Sequence, residues 1–161
     1  MNALRYQIFL VKGQFLLAHS FATIFRKQKL GGNIVNIASK NGLIAGPNNL
    51  GYGTAKAAQL HMSRLLAAEF AADNVRVNTV NPDGVIVGSK IWKGKWAEGR
   101  AKAYGITVEE LPAYYAKRNL LNKVITPKDI ANSVFAFLAI LDKSTGNIIN
   151  VDGGVANAFV R

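Results

Sequence analysis

Three short segments rich in β-branched residues dominate what this 161-residue chain can fold into: NIVNIA at 33–38, VRVNTV at 75–80 and NIINV at 147–151. Each is closed by a polar or glycine-rich turn, the pattern of a strand buried within a parallel sheet. Helical stretches lie between them. Residues 13–29 carry apolar side chains at helical spacing and end on Arg26, Lys27 and Lys29, cations suited to a helix C-terminus. A long helix rich in alanine and leucine is expected over 49–72. Another should run from Thr126 to about Leu141, with Thr126 as cap, Pro127 in the first turn and Asp129 near the positive end. This alternation defines an α/β protein whose parallel strands are joined by right-handed crossovers.

The stretch 85–125 breaks the rhythm. It holds Gly88, Gly94, Gly99 and Gly105, with helical pieces expected at 97–104 and 107–118. Trp92, Trp96, Tyr104, Tyr114 and Tyr115 fit either a small core or the wall of a substrate lid, and their place after the second strand favours the lid. Arg100 and Arg118 are candidates to meet a carboxylate or phosphate, with solvated surface charge the weightier alternative. The absence of cysteine excludes a disulfide framework and a thiolate metal site. His19 and His61 have no metal-spaced partner and read as surface or subunit-contact residues. No metal is expected.

The net charge of +11 could serve a polyanion, but the lysines are scattered. Only KIWKGKW at 90–96 interleaves aromatics with cations, so nucleic-acid binding is the weaker reading. Charges and a glycine interrupt the apolar patches of the first 17 residues. A membrane span needs a longer clean run, so the chain reads as cytoplasmic, without membrane association.

Tyr52 and Lys56 lie four apart in YGTAK, on one face near the start of the long helix. Ser39 precedes Tyr52 by thirteen residues, at the C-terminal end of the first strand. Reactive groups of open α/β sheets gather beyond the carboxyl ends of strands, so a hydroxyl, a phenol and an ammonium can surround one point. Those groups suit proton-coupled hydride transfer between an alcohol and a carbonyl. A phenol of pKa about 10 is a weak base at neutral pH. A lysine at ~4 Å and an effective dielectric of ~20 interacts with phenolate by about 4 kcal/mol, enough to acidify it by up to about three pH units. Ser39 would hold the substrate oxygen against the phenol. Taken singly, YxxxK and a serine after a strand are ordinary surface and turn chemistry.

Taken in order, GGNIVNIAS, YGTAK, VRVNTVNP and TGNIINVDGG resemble the short-chain dehydrogenase/reductase family over nearly the whole chain. The resemblance implies the C-terminal half of a Rossmann-like doubly wound parallel sheet, of about three strands with flanking helices. It implies a Ser39–Tyr52–Lys56 catalytic triad with Tyr52 as acid/base, and NAD or NADP as cofactor. Tyr52, Lys56, Pro82, Gly84, Ile86 and Ser89 would contact that cofactor, Lys56 through the nicotinamide ribose. The family commonly pairs through two long helices, which here would make a homo-oligomer through 13–29 and 49–72. ASKNGLIAGPNN, NPDGVIVGSKIW, WAEGRAKAYGI and YYAKRNLL further resemble the dehydrogenase part of bifunctional rhamnulose-1-phosphate aldolase/lactaldehyde dehydrogenases. That resemblance implies NAD-linked oxidation of lactaldehyde, or a similar small alcohol or aldehyde, in deoxy-sugar catabolism.

The chain also departs from the family pattern. It contains no GxxxGxG phosphate-cradling turn and no Asn-Asn-Ala-Gly segment. Leu10 stands where the family usually has an active-site asparagine, and Pro82-Asp83-Gly84 replaces its usual Pro-Gly. Residues 1–12 read as an atypical start, so 1–161 is expected to be a partial domain truncated at its N-terminus. The second reading is therefore a catalytically silent fragment that folds or associates without binding cofactor.

Overall fold

A computed structural model of the chain describes residues 3–159. The β-branched segments form three strands, β1 (Gly32–Ile37), β2 (Val75–Pro82) and β3 (Ile148–Val151). All are parallel, in the order β1-β2-β3, with Ile34 opposite Val77 and Val80 opposite Ile149. β1 is thus an edge strand.

One continuous helical rod precedes β1: α1 (Ala3–Tyr6), a π-helical stretch Gln7–Lys12, and α2 (Gly13–Gln28). It stops at Lys29, left-handed at φ 56°, followed by Gly31. The helix therefore begins well before residue 13. Gly13 breaks nothing, because a helical glycine removes no hydrogen bond. The rod is uninterrupted, and by length and composition alone Leu4–Gln28 could cross a membrane, its most apolar 18-residue window having a mean hydropathy of 1.5. Its inner face packs in the protein, Ala18 and Ala22 entering the core and Arg26 pairing with Asp73 at 2.7 Å. Its outer face leaves Phe15, Leu16, Leu17 and Phe21 exposed.

α3 (Leu50–Phe70) follows β1 and packs beside α2. Leu66, Ala67 and Phe70 meet Ala18, Ala22, Val75 and Val77 in the main core. Side chains alternate along a strand, so Asn33 and Arg76 face the other side of the sheet. There they donate to main-chain oxygens of Leu138, and of Phe137 and Leu141, at the end of α6 (Pro127–Phe135) and its π-helical extension Ala136–Ile140. The result is a three-layer sandwich, helices on both faces of the sheet. The α6 start carries the expected signals as a full capping box, Thr126 and Asp129 bonding reciprocally.

The segment after β2 folds on itself. α4 (Lys95–Tyr104) and α5 (Leu111–Ala116) enclose a second small core of Ile86, Ala97, Ala101 and Leu111. α5 is shorter than the expected 107–118. Trp92 packs on this core and Trp96 leans on Trp92, ring centroids 4.7 Å apart.

Candidate active site

β1, β2 and α3 converge on a cleft of about 860 Å³ beyond the carboxyl ends of the strands. Ser39 leaves β1 in extended conformation and caps the turn Lys40–Gly42, its Oγ accepting from the Asn41 N–H at 3.3 Å. Tyr52 sits in the first turn of α3 and Lys56 one turn on, its side chain largely buried. The Tyr52 and Ser39 side chains are neighbours, and both line the cleft. The Lys56 Nζ lies 5.7 Å from the Tyr52 ring centroid and donates to the Ile37 carbonyl at 3.2 Å. The three side chains are therefore neighbours.

The electrostatics differ from the sequence expectation. Burial is the largest influence on Tyr52 and raises its pKa, the Ser39 hydrogen bond only partly offsetting it and Tyr6 adding to the rise. Burial likewise lowers Lys56 to about 8. The ammonium is turned to the end of β1 rather than to the phenol oxygen, so desolvation outweighs mutual attraction. In the protein alone, Tyr52 is not acidified.

Of the residues expected around a nicotinamide, Tyr52, Pro82, Gly84 and Ser89 line the cleft and Lys56 lies behind Tyr52. Ile86 does not join them: its side chain is turned into the small core of α4 and α5. Gly84 has a specific steric reason, since a Cβ there would stand 2.7 Å from the Tyr115 ring. The extra residue, Asp83, is held rather than looped out. Its carboxylate meets Lys40 at 3.4 Å with both side chains almost wholly buried, and its N–H donates to Val151. This pair ties the turn after Ser39 to the segment after Pro82. Nothing local in the sequence announces it, because its members are far apart in the chain.

Other participants were also unread. Tyr6, from the segment taken as an atypical start, lines the cleft and meets the Tyr52 ring edge-on at 5.6 Å. Asn48 and Asn49 add polar groups at the mouth. Leu10 brings no polar side chain, and its main-chain oxygen accepts from Gln59 Nε2 at 2.6 Å. Asp152 shapes the turn after β3, its Oδ1 accepting from Gly154 N–H at 2.8 Å. His61 and His19 are exposed, His19 between Phe15 and Phe70. Among the described residues no cluster could hold a metal ion.

A hydroxyl and a phenol at the strand ends of a parallel sheet, with lysine one turn behind, define a class of carbonyl and alcohol oxidoreductase. Residues 6–156 match the family model described as enoyl-(acyl carrier protein) reductase. An uncharacterized oxidoreductase of Bacillus subtilis (strain 168), YuxG, is 43% identical over 150 residues, 92% of this chain and 22% of that protein. Sorbitol-6-phosphate 2-dehydrogenase SrlD from Erwinia amylovora superposes with a TM-score of 0.82 at 25% identity, over 97% of this chain and 62% of that one. A 4-hydroxyisoleucine dehydrogenase complexed with NADH and succinate gives 0.69 at 26%, over 91% and 55%. The chain belongs to the short-chain dehydrogenase/reductase family, and its three strands are part of that family's Rossmann-like sheet. It spans 22% of the Bacillus relative and little more than half of the two solved enzymes. The family match begins inside the dozen residues that read as atypical.

Proposed function

We propose that this chain is the catalytic part of a nicotinamide-dependent short-chain dehydrogenase acting on a small alcohol or hydroxy-aldehyde. The observation that carries it is Tyr52 and Ser39 side by side in one cleft, with Lys56 behind them. The residues present suit the nicotinamide end of a cofactor, which Tyr52, Lys56, Pro82, Gly84 and Ser89 would hold. They offer no counterpart to the diphosphate cradle, since the chain has no GxxxGxG. A bound oxidised nicotinamide supplies the hydride acceptor and a positive charge beside the phenol. Ser39 donates to or accepts from the substrate oxygen and fixes it against Tyr52. Tyr52 takes the alcohol proton in oxidation and returns it in reduction. Lys56, at about 8, is mostly cationic at neutral pH, and its charge one turn behind Tyr52 would favour a phenolate formed during the reaction.

The finer reading is oxidation of lactaldehyde to lactate, in which the aldehyde hydrate plays the alcohol. The 43% identity to a Bacillus oxidoreductase of which this chain covers only 22% accords with a dehydrogenase part inside a longer protein. A homo-oligomer through α2 and α3 accords with the exposed Phe15, Leu16, Leu17 and Leu65 on those helices. Light scattering should return a dimer or larger, and a clean monomer would reject that arrangement.

A second reading, a silent fragment, is favoured by the upward shift of Tyr52 and the missing phosphate cradle. Titration with NAD and lactaldehyde separates the two. Saturable NADH formation supports the dehydrogenase, whereas no cofactor binding at millimolar concentration supports the fragment.

A further inference from the structure

Among the described residues, two side chains that carry formal charge line the cleft, Asp83 and Arg100. Asp83 is neutralised by Lys40 at 3.4 Å. Among the described residues Arg100 has no carboxylate within ion-pair distance. Its guanidinium instead lies over the Trp96 ring, 4.8 Å from the centroid, and the residue is half-buried. Stacking on an aromatic face occupies the plane of a guanidinium and leaves its N–H edge to bind a planar or tetrahedral anion by two parallel hydrogen bonds.

Arg100 lines the same cleft as Tyr52 and Ser39. Trp96 abuts Trp92 at 4.7 Å, Trp92 abuts Tyr115 at 5.1 Å, and Tyr115 packs on Gly84, next but one to Pro82. An apolar aromatic wall lowers the local dielectric and strengthens a charge-assisted bond. Arg118, by contrast, lies over Tyr115 at 4.6 Å, is exposed, and is not part of the cleft lining.

We propose that Arg100 is a specificity residue that binds the carboxylate or phosphate of a small hydroxy substrate or product. The orientation of the hydroxyl toward Tyr52 and Ser39 rests on the dehydrogenase reading; the anion site itself does not. The shared chemistry is a delocalised negative charge on two or more oxygens of a small molecule that also carries a hydroxyl.

Trp92 and Trp96 are the chain's two tryptophans, and both line the cleft, so their fluorescence reports its occupation. The test titrates the wild-type chain and the Arg100→Gln, Arg100→Lys and Arg118→Gln variants with L-lactate, glycerol 3-phosphate and propane-1,2-diol. Hydrogen bonds to charged groups, at about 1.5–3 kcal/mol, set the expected loss in Arg100→Gln at about 10- to 100-fold for the anions. Arg100→Lys should fall between, Arg118→Gln should bind as wild type, and the diol should bind weakly to all. Lactate preferred over glycerol 3-phosphate assigns the site to a carboxylate, and the reverse assigns it to a phosphate. Diol binding as tight as either anion, or unaltered anion binding in Arg100→Gln, overturns the proposal. NADH formation is followed separately. Anion binding lost in Arg100→Gln, in a chain that never reduces NAD, upholds the anion site and rejects the dehydrogenase.

Discussion

Lys56 is the residue whose replacement says most about how this site is built. Its ammonium is buried, has one main-chain acceptor at 3.2 Å, and is held at about 8 instead of 10.5. The difference corresponds to about 3 kcal/mol of destabilisation at neutral pH, at about 1.36 kcal/mol per pH unit. Lys56→Met keeps the stem and removes the charge. It also removes the hydrogen bond to Ile37, a loss of about 1 kcal/mol. The variant should therefore be more stable than wild type at pH 7 by about 2 kcal/mol. Between pH 8 and 10.5 the folded wild type binds fewer protons than the unfolded chain, so its stability rises with pH across that window. The penalty is complete below 8 and absent above 10.5, so the advantage of the methionine variant should vanish by about pH 10. Urea unfolding of both proteins at pH 7, 8.5 and 10 measures this, and taking the difference cancels the titration of every other group. A variant less stable than wild type at pH 7, or a difference independent of pH, would refute the claim that desolvation governs Lys56.

Two further substitutions probe the frame around the cleft. Asp83→Ala strands the buried ammonium of Lys40 and should destabilise the chain by about 3–5 kcal/mol, seen as a lower urea midpoint. Lys40→Met combined with Asp83→Leu should recover most of that loss. Gly84→Ala puts a methyl 2.7 Å from the Tyr115 ring and should cost about 1–3 kcal/mol, with a change in tryptophan emission as Trp92 is displaced.

The strands were legible because β-branched runs of four to eight residues between turns have few other uses. The expected 33–38, 75–80 and 147–151 became Gly32–Ile37, Val75–Pro82 and Ile148–Val151. The start of the first helix was not legible, because Gly13 and the charges at Arg5 and Lys12 read as interruptions. A helix supported along one side by α3 absorbs them all. Ser39, Tyr52 and Lys56 could be placed together because helix and strand periodicity fix their directions. Ile86 could not, since the segment after Pro82 has no period, and its side chain went to the small core of α4 and α5. The Lys40–Asp83 pair and the approach of Tyr6 to Tyr52 depend on tertiary packing alone.

Proton exchange between the Tyr52 phenol and a bound alcohol is the step on which the proposed chemistry stands. The most direct measurement compares NADH formation by wild type and Tyr52→Phe at saturating NAD and alcohol, with ligand binding followed in parallel by tryptophan fluorescence. Loss of general acid–base catalysis predicts a fall in rate of about 10²- to 10⁴-fold with binding unchanged. A phenylalanine variant that turns over as fast as wild type would contradict it.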